Sequence, residues 1–302
     1  MAHLHHEHNG EFYHHHHDII TSKSVKYLFV SFVINMLLSV VEIIGGIIAG
    51  SVSLIGDALH NTSDALSILI AVVAFKIGNK KASKKYTYGF KRAEVIGGFV
   101  NLILLFISGL YLIVEGIERL IFPHHIEGWL IIWVSVLALI IDLATAKISH
   151  HGAHHSANMK MVFIHNLADA FGSIGVILSG VCVVVFNVSF VDGLIALIIA
   201  AYMIFQSVVS FKPIVNILMN AAPEHLDLDE IKNAIQNIEG VEDVHHIHIW
   251  CVNEHDISLE CHIRGTDLEL AHKIHHLLSD EFHIMHTNIQ LENENACPEC
   301  EL

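Results

Sequence analysis

The sequence predicts a membrane protein with six transmembrane helices followed by a small cytoplasmic α+β domain in the order α-β-β-α-β. The composition is 53% hydrophobic and only 16% charged, whereas a soluble domain carries about 25% charged residues. Long apolar runs recur before Pro213, and short alternating or amphipathic segments replace them after it. The predicted boundaries are a histidine-rich cytoplasmic tail at 1–22, a transmembrane domain at 23–212 and a cytoplasmic domain at 213–302.

Three runs without any charged residue indicate three of the six spans. They cover residues 95–114, 170–191 and 193–211, which are 20, 22 and 19 residues long. Each run is long enough to cross about 30 Å of hydrocarbon as a helix. Three further apolar segments, interrupted by a few acidic residues, lie at about 27–49, 54–78 and 128–148. The last of the six spans is expected to end near Lys212.

The distribution of basic residues predicts the orientation of these spans. The connection between spans 2 and 3 holds Lys80, Lys81, Lys84, Lys85, Lys91 and Arg92. The connections on the opposite side, near 50–53, 122–127 and 187–190, contain no Lys or Arg. Because cytoplasmic loops are enriched in Lys and Arg, both termini are predicted to lie in the cytoplasm. The cell membrane is the expected location.

The segment after Pro213 predicts a compact α+β domain. Amphipathic helix patterns cover residues 226–238 and 268–282, and strand-like alternation covers 241–252, 257–264 and 285–292. This order favours helices on one face of a sheet. With only about 80 residues, the domain is small enough for dimerisation to help stabilise it.

Histidine is over-represented, with 27 residues in the chain. Span 2 contains His60 and Asp64, and span 5 contains His165 and Asp169, both in the pattern H-x-x-x-D. Residues four apart share one face of a helix, so each span presents an imidazole beside a carboxylate. If the two faces meet, two nitrogens and two oxygens surround one point, which suits zinc. Either pair alone could be a hydrogen bond that ties helices together, but the repeated spacing favours a metal site.

Other acidic residues within the spans leave more than one interpretation open. Asp57 lies one turn before His60 and could assist a metal ligand, or it could cap the start of span 2. Asp192 is expected near the end of its span, with no special role. Glu42 and Asp142 lie deeper and could face a polar cavity.

Taken together, these features resemble the zinc-transporting branch of the cation diffusion facilitator family over nearly the whole chain. The resemblance rests on six spans, the paired H-x-x-x-D motifs, a histidine-bearing loop between spans 4 and 5, and the C-terminal domain, which is metallochaperone-like. Two segments also look like members of this family: residues 53–60, SLIGDALH, and residues 245–250, HHIHIW.

The resemblance implies a homodimer that exports cytoplasmic zinc in exchange for protons. The transport ligands would be His60, Asp64, His165 and Asp169, a set of the zinc type, since branches for manganese or iron tend to have acidic residues where this chain has histidine. Zinc ligands must be deprotonated, so protons would compete with the metal for them. The alternatives are transport of cadmium, cobalt, nickel or ferrous iron, and a membrane zinc sensor that does not transport.

The expected partners are Zn²⁺, protons, membrane lipid and a second copy of the chain. Zinc is expected both as the transported substrate and as a regulatory ligand. The net charge of −15 argues against nucleic acid as a partner. An enzyme is not expected, because an intramembrane metallohydrolase would need a motif such as H-E-x-x-H, and none occurs.

The C-terminal histidines suggest a second zinc site. Strict alternation along 241–252 would place His246, His248 and Trp250 on one face of a strand, and His245, Ile247 and Ile249 on the other. The resemblance implies a regulatory site formed by His245, His262 and a histidine or acidic residue of the last strand, for which His286 and Glu292 are the candidates. These residues could also be solvated polar side chains of a sheet.

Cys297 and Cys300 form a C-x-x-C pattern, a spacing that suits two thiolates on one cation or a redox pair. The pair is similar to a C-terminal cysteine pair in zinc transporters of the animal type, where the N-terminal tail of the other subunit completes the site. Here the histidines at 5–8 or 14–17 could do so, and a tail that binds no metal is the alternative. The odd total of five cysteines argues against a disulfide framework.

Overall fold

The computed structural model describes residues 22–78, 80–153, 157–253, 256–265 and 267–292. The first part of the chain forms six long helices: α1 (Ser22–Ala49), α2 (Val52–Gly78), α3 (Ala93–Ile121), α4 (Gly128–Ala153), α5 (Ala157–Phe186) and α6 (Phe190–Leu218). Each helix is long enough and apolar enough to cross a membrane. The predicted six spans are therefore confirmed.

The chain divides into two compact units. Helices α2, α3 and α6 each contribute residues to both of them. One contains the described residues up to Val72 together with Ile107–Met203. The other contains Val73–Phe106 together with the described residues from Ile204 onward. The H-x-x-x-D motifs belong to the first unit, and the C-terminal sheet belongs to the second.

The side chains of the six helices are distributed as expected for a protein that is surrounded by lipid. Large apolar residues such as Leu37, Val114 and Phe205 remain exposed, while small or polar residues such as Ala58 and Ser173 are buried. A large exposed apolar surface is unfavourable in water but not in hydrocarbon, where packing and hydrogen bonds drive helix association. The polar groups therefore lie inside.

Helix α6 continues beyond its expected end. It runs through Pro213 to Leu218 instead of ending near Lys212. Proline removes one backbone donor and disfavours a helical conformation in the preceding residue, which is why the sequence suggested an end here. Phe211 packs against Phe99 of α3 with ring centroids 5.2 Å apart, so a tertiary contact supports the helix beside the proline.

Glycines allow two pairs of helices to approach closely. A Cβ atom on Gly193 of α6 would lie 2.9 Å from the carbonyl oxygen of Gly116 in α3. A Cβ atom on Gly128 of α4 would likewise lie 2.9 Å from the carbonyl oxygen of Gly180 in α5. A larger residue at these positions would separate the helices, because close backbone contact between membrane helices depends on small residues.

Asp192, at the start of α6, caps the start of α2. Its buried carboxylate accepts hydrogen bonds from the Ser51 hydroxyl at 2.6 Å, the Ser53 hydroxyl at 2.5 Å and the Val52 backbone N–H at 2.7 Å. The first N–H groups of a helix lack partners within the helix, and a negative charge there also favours the helix dipole. The expectation that Asp192 has no special role is therefore wrong. The contact joins residues about 140 positions apart, with separations of 139 to 141, so no local pattern could predict it.

The C-terminal domain has the predicted order of elements. They are α7 (Leu228–Gln236), β1 (Asp243–Cys251), β2 (Ile257–Arg264), α8 (Glu269–Phe282) and β3 (His286–Glu292). The sheet order is β1-β2-β3, with β1 antiparallel and β3 parallel to β2. The parallel pair needs a crossover connection, and α8 supplies it.

The hydrophobic core of this domain lies between the two helices and one face of the sheet. Buried residues of α7, β1, β2 and α8 form it, including Ile231, Ile235, Val244, Leu259, Ile263, Leu270, Ile274 and Leu278, and the partly buried Ile289 and Leu291 of β3 pack against it. The opposite face carries the polar residues of the strands. His262 lies on that polar face while its neighbour Cys261 points into the core, as the alternation of β2 predicted.

A β-bulge in β1 changes which histidines share a face. His245 pairs with His262 and His248 pairs with Glu260, so His246 and Ile247 together stand opposite a single residue of β2. Ile247 turns toward the core, and His246 adopts a left-handed conformation with a φ of 51°. The strict alternation that separated His245 from His248 is therefore wrong, because the extra residue places both on the polar face.

We expect Asp192→Ala to destabilise the transmembrane part by roughly 2–4 kcal/mol, since it leaves three buried donors without their ionised acceptor. Unfolding in mixed micelles with increasing dodecyl sulfate, followed by circular dichroism, would measure the change. The matched control is Glu118→Gln, which removes a carboxylate from an exposed position of α3 and should cost less than about 1 kcal/mol. Equal effects of the two substitutions would contradict the capping role.

Candidate metal centres

Helices α2 and α5 bring together the four residues of the two H-x-x-x-D motifs. The Nε2 atom of His60 lies 3.5 Å from Oδ2 of Asp64 and 3.2 Å from Oδ1 of Asp169. The Nε2 atom of His165 lies 3.3 Å from Oδ2 of Asp64 and 3.6 Å from Oδ2 of Asp169. Each imidazole thus faces one carboxylate of its own helix and one of the other helix. We refer to these four residues as the membrane site.

The membrane site is largely buried, yet its residues do not fully satisfy one another. The His60 side chain is 6% exposed and that of His165 is 34% exposed, so His165 is more accessible from outside the site than His60. Nδ1 of His60 is buried without a hydrogen-bond partner in the described part of the chain, and Oδ2 of Asp64, although 3.3 Å from Nε2 of His165, does not meet hydrogen-bond geometry. Buried polar atoms are normally hydrogen-bonded, so atoms without a partner indicate room for a ligand. One ligand atom each from His60, Asp64 and Asp169 lies within 4.8 Å of the others, close enough to hold a cation.

Two neighbours of His60 were not identified from the sequence. Tyr202 of α6 packs edge-on against the His60 ring with centroids 5.6 Å apart. The side-chain amide of Asn61, the next residue along α2, donates a hydrogen bond at 3.0 Å to the buried Glu42 carboxylate. Neither tyrosine nor asparagine forms a recognisable motif within an apolar span, so the sequence held no usable signal for these contacts.

Ser173 of α5 connects two further buried acidic residues. Its hydroxyl lies 2.9 Å from the Asp142 carboxylate and 3.4 Å from that of Asp57. Asp57 lies in the second turn of α2, whose first turn is capped by Asp192. The interpretation of Asp57 as a helix cap is therefore wrong, and the alternative that it assists a metal ligand stays a prediction.

On the polar face of the sheet, His245, His262 and Glu292 converge in what we call the sheet site. Nε2 of His245 lies 3.2 Å from Oε2 of Glu292, and Nδ1 of His262 lies 2.8 Å from Oε1 of the same carboxylate. The Glu292 side chain is only 2% exposed. Nδ1 of His262 and Oε2 of Glu292 satisfy no hydrogen-bond geometry with other described residues. Two imidazoles and a buried carboxylate at these distances fit a zinc ion.

Asp243 holds one ligand of the sheet site in place. Its Oδ2 lies 3.1 Å from Nδ1 of His245, whose Nε2 faces Glu292. Histidines that bind metals commonly donate their second ring N–H to a carboxylate, which fixes the orientation of the ring. Sequence reasoning missed Asp243, although its position two residues before His245 on a strand was a usable signal.

His286 does not reach the sheet site. It pairs with Ser258 at the beginning of β3, whereas Glu292 pairs with Arg264 at its end. His286 and Glu292 lie an even number of residues apart and therefore share a face of β3. Six residues of a strand span about 20 Å, however, so the two side chains cannot bind one ion. His286 instead contacts Tyr88, with Nε2 3.3 Å from the tyrosine hydroxyl. Of the two candidates on β3, the geometry favours Glu292.

The cysteines contribute no ligand to either site within the described residues. Cys297 and Cys300, and the histidines of the N-terminal tail, lie outside those residues. Cys251 and Cys261 point into the core of the C-terminal domain, and burial raises the pKa of both thiols, that of Cys261 to about 12. A thiol that stays protonated is a poor metal ligand.

Two family descriptions match this chain over most of its length. "Cation efflux transmembrane domain" matches residues 28–219, and "Cation efflux protein, cytoplasmic domain" matches residues 223–294. The first match contains the membrane site, and the second contains the sheet site.

Several bacterial metal transporters are similar to the chain. It is 31% identical over 278 residues to the "Cadmium, cobalt and zinc/H(+)-K(+) antiporter" of Bacillus subtilis, which covers 89% of each chain. It is 31% identical over 258 residues to the "Metal cation efflux system protein CzcD" of Cupriavidus metallidurans, covering 84% of this chain and 82% of the relative. It is 27% identical over 309 aligned positions to the "Zinc transporter ZitB" of Escherichia coli, covering 100% of this chain and 96% of the relative.

We expect Asp243→Asn to weaken Zn²⁺ binding at the sheet site by about 10–100-fold, because it removes the carboxylate that orients His245. Competition with a zinc indicator in the purified full-length chain would measure this, and a Glu292→Gln background would abolish the difference. Asp229→Asn removes the same charge from an exposed position of α7 and should leave the affinity unchanged. Native affinity in Asp243→Asn would contradict the orienting role.

Proposed function

The chain belongs to the cation diffusion facilitator family, and on this basis we propose that it is a zinc efflux transporter that exchanges Zn²⁺ for protons through the membrane site. Both the family match and the relatives support metal cation efflux by a multi-pass membrane protein. The proposal adds the identity of the ion, the four ligands and the coupling to protons. We propose a transporter and not an enzyme.

The spacing of the ligand atoms is the observation that carries this proposal. Zinc bonds to nitrogen and oxygen are about 2.0–2.1 Å long, so neighbouring ligands of a tetrahedral zinc lie about 3.3–3.4 Å apart. The four nitrogen–oxygen separations in the membrane site are 3.2, 3.3, 3.5 and 3.6 Å. One ligand atom each from His60, Asp64 and Asp169 lies within 4.8 Å of the others, so these three residues could hold a zinc ion as they stand. His165, which lies 3.3 Å from Asp64, would have to move closer to become the fourth ligand.

The ligand types support zinc over harder cations but also allow metal ions that are chemically similar to zinc. Imidazole suits zinc and other late first-row metals, whereas magnesium, calcium and manganese prefer oxygen ligands. The name of the Bacillus subtilis relative includes cadmium and cobalt beside zinc. Transport of these two ions by the same site is therefore the second candidate function.

Protons and zinc would occupy the same four side chains in turn. Zinc binds to neutral imidazoles and ionised carboxylates, so its binding releases protons. When the site opens to the side with more protons, protonation of the imidazoles removes the lone pairs that hold the ion, and the ion leaves. Imidazole is the side chain whose ordinary charge change lies nearest to physiological pH, which suits it to this competition.

The division of ligands between two helices provides a route to alternating access. His60 and Asp64 move with α2, and His165 and Asp169 move with α5. A change in tilt between the two helices would separate the pairs on one side of the site before the other. The ligands could thus be exposed to each side of the membrane in succession.

We further propose that both termini and the sheet domain lie in the cytoplasm, and that the protein acts as a homodimer in the cell membrane. The basic residues between α2 and α3 support this orientation. The sheet site would then bind cytoplasmic zinc and regulate transport. The family description that matches residues 223–294 refers to a cytoplasmic domain, which agrees with this assignment.

Asp64→Ala is expected to abolish zinc movement driven by a pH gradient, because it removes the carboxylate shared by both imidazoles. The measurement is zinc uptake into proteoliposomes that contain a zinc indicator and carry an imposed pH gradient. Glu118→Gln, at an exposed position of α3, is the control and should transport normally. If Asp64→Ala transports zinc as fast as the unsubstituted chain, the membrane site is not the transport site. If the unsubstituted chain binds zinc but transports none, a zinc sensor is favoured. Replacing zinc by cadmium or cobalt tests the second candidate function.

The apparent KM for zinc should rise as pH falls, because protons compete with the ion for the imidazole lone pairs. Initial rates with equal pH on both sides of the vesicle, from pH 8 to pH 5.5, would give this profile. In His165→Asp the rise should be less steep, since only the His60 imidazole is left to compete for protons and a carboxylate is ordinarily protonated only near pH 4. A KM that does not vary with pH would contradict competition between protons and zinc.

A further inference from the structure

The β-bulge in β1 gathers a second set of metal-binding side chains on the polar face of the sheet. His246, His248 and Glu260 each offer one ligand atom, and these atoms lie within 4.8 Å of one another. Without the extra residue of the bulge, strict alternation would carry His245 to the face opposite His246 and His248. With it, three histidines of one strand share a face with Glu260 and His262 of β2.

We propose that His246, His248 and Glu260 form a second binding site for a zinc-type divalent cation, next to the sheet site but distinct from it. This goes beyond the proposed function, which uses only the membrane site and the sheet site. Two imidazoles and one carboxylate provide three ligands, and water can complete a tetrahedral zinc ion. The softer imidazole donors disfavour magnesium and calcium at this position.

The environment of His246 points to a ligand. Its Nδ1 atom is buried and has no hydrogen-bond partner among the residues described. Its ring lies 4.5 Å from the ring of His248 and 4.6 Å from that of His262, measured between centroids. A buried imidazole nitrogen that no protein group satisfies is unusual, and a bound cation would supply its missing partner.

The proposed site should exchange its ion more readily than the sheet site. His248 is exposed, whereas the carboxylate of the sheet site is 2% exposed. Because the His246 ring contacts His262, an unbroken row of imidazoles leads from exposed His248 to the sheet site. Ions arriving from solvent would therefore meet the more accessible ligands first.

The test counts zinc bound to the purified full-length chain after equilibrium dialysis at a fixed free Zn²⁺ concentration. The zinc content of each sample is measured by inductively coupled plasma mass spectrometry. The variants are His248→Gln and Glu260→Gln, each expected to bind about one zinc ion fewer per chain, since a site with two protein ligands left is too weak. His272→Gln, which removes an exposed histidine of α8, is the matched control and should bind as many ions as the native chain.

A variant without the sheet site separates the two sites. His245→Gln alone should lose about one ion, and His245→Gln combined with His248→Gln should lose about two. Native zinc content in His248→Gln and Glu260→Gln would overturn the proposal. A double variant that loses no more than His245→Gln alone would also overturn it, because both sets would then share one ion. Flux through the membrane site, measured on the same samples, reports independently on the proposed function.

Discussion

The contacts between the two H-x-x-x-D turns are the constraint on which the membrane part of the structure depends. Ionisable side chains at this depth are costly unless a partner compensates them. His60 finds Asp169 at 3.2 Å, and His165 finds Asp64 at 3.3 Å, so each helix supplies what the other requires. Neither helix can bury its pair alone. The two turns must therefore meet at one depth and one rotation, and the helices that carry them are positioned accordingly.

The rest of the polar interior holds that arrangement in place. Asp192 caps the start of α2, two turns before His60, and so fixes the depth at which His60 lies. Ser173, one turn after Asp169 on α5, is hydrogen-bonded to Asp142 of α4. Since buried charges that lose their partners are expensive, these contacts resist displacement of either helix. The outer surface of the helices makes no such contacts and consists mainly of apolar residues.

Features that repeat along the backbone could be predicted from the sequence, whereas features that depend on tertiary register could not. The six helices, the α-β-β-α-β order and the shared face of His60 and Asp64 all follow from helix or strand periodicity. The bulge at His246 breaks that periodicity, and the strand contains no glycine that would have indicated a bulge. The choice of Glu292 over His286 depends on how β3 pairs with β2 after the α8 crossover. The Asp192 cap joins positions far apart in the chain, so nothing in the local sequence indicated it.

The two candidate metal centres differ in what connects their ligands, and this difference suits them to the different tasks proposed for them. In the sheet site, β1, β2 and β3 are joined by backbone hydrogen bonds, so the positions of His245, His262 and Glu292 are set before an ion arrives. Such a preformed site favours retention of the ion. In the membrane site, α2 and α5 each form their backbone hydrogen bonds internally, as helices in a membrane must. Only side chains join the two pairs, so a change in helix tilt can open the ligand set without breaking any backbone hydrogen bond. Under the proposed function, the membrane site needs this freedom because it must bind and then release its ion, whereas a regulatory site does not.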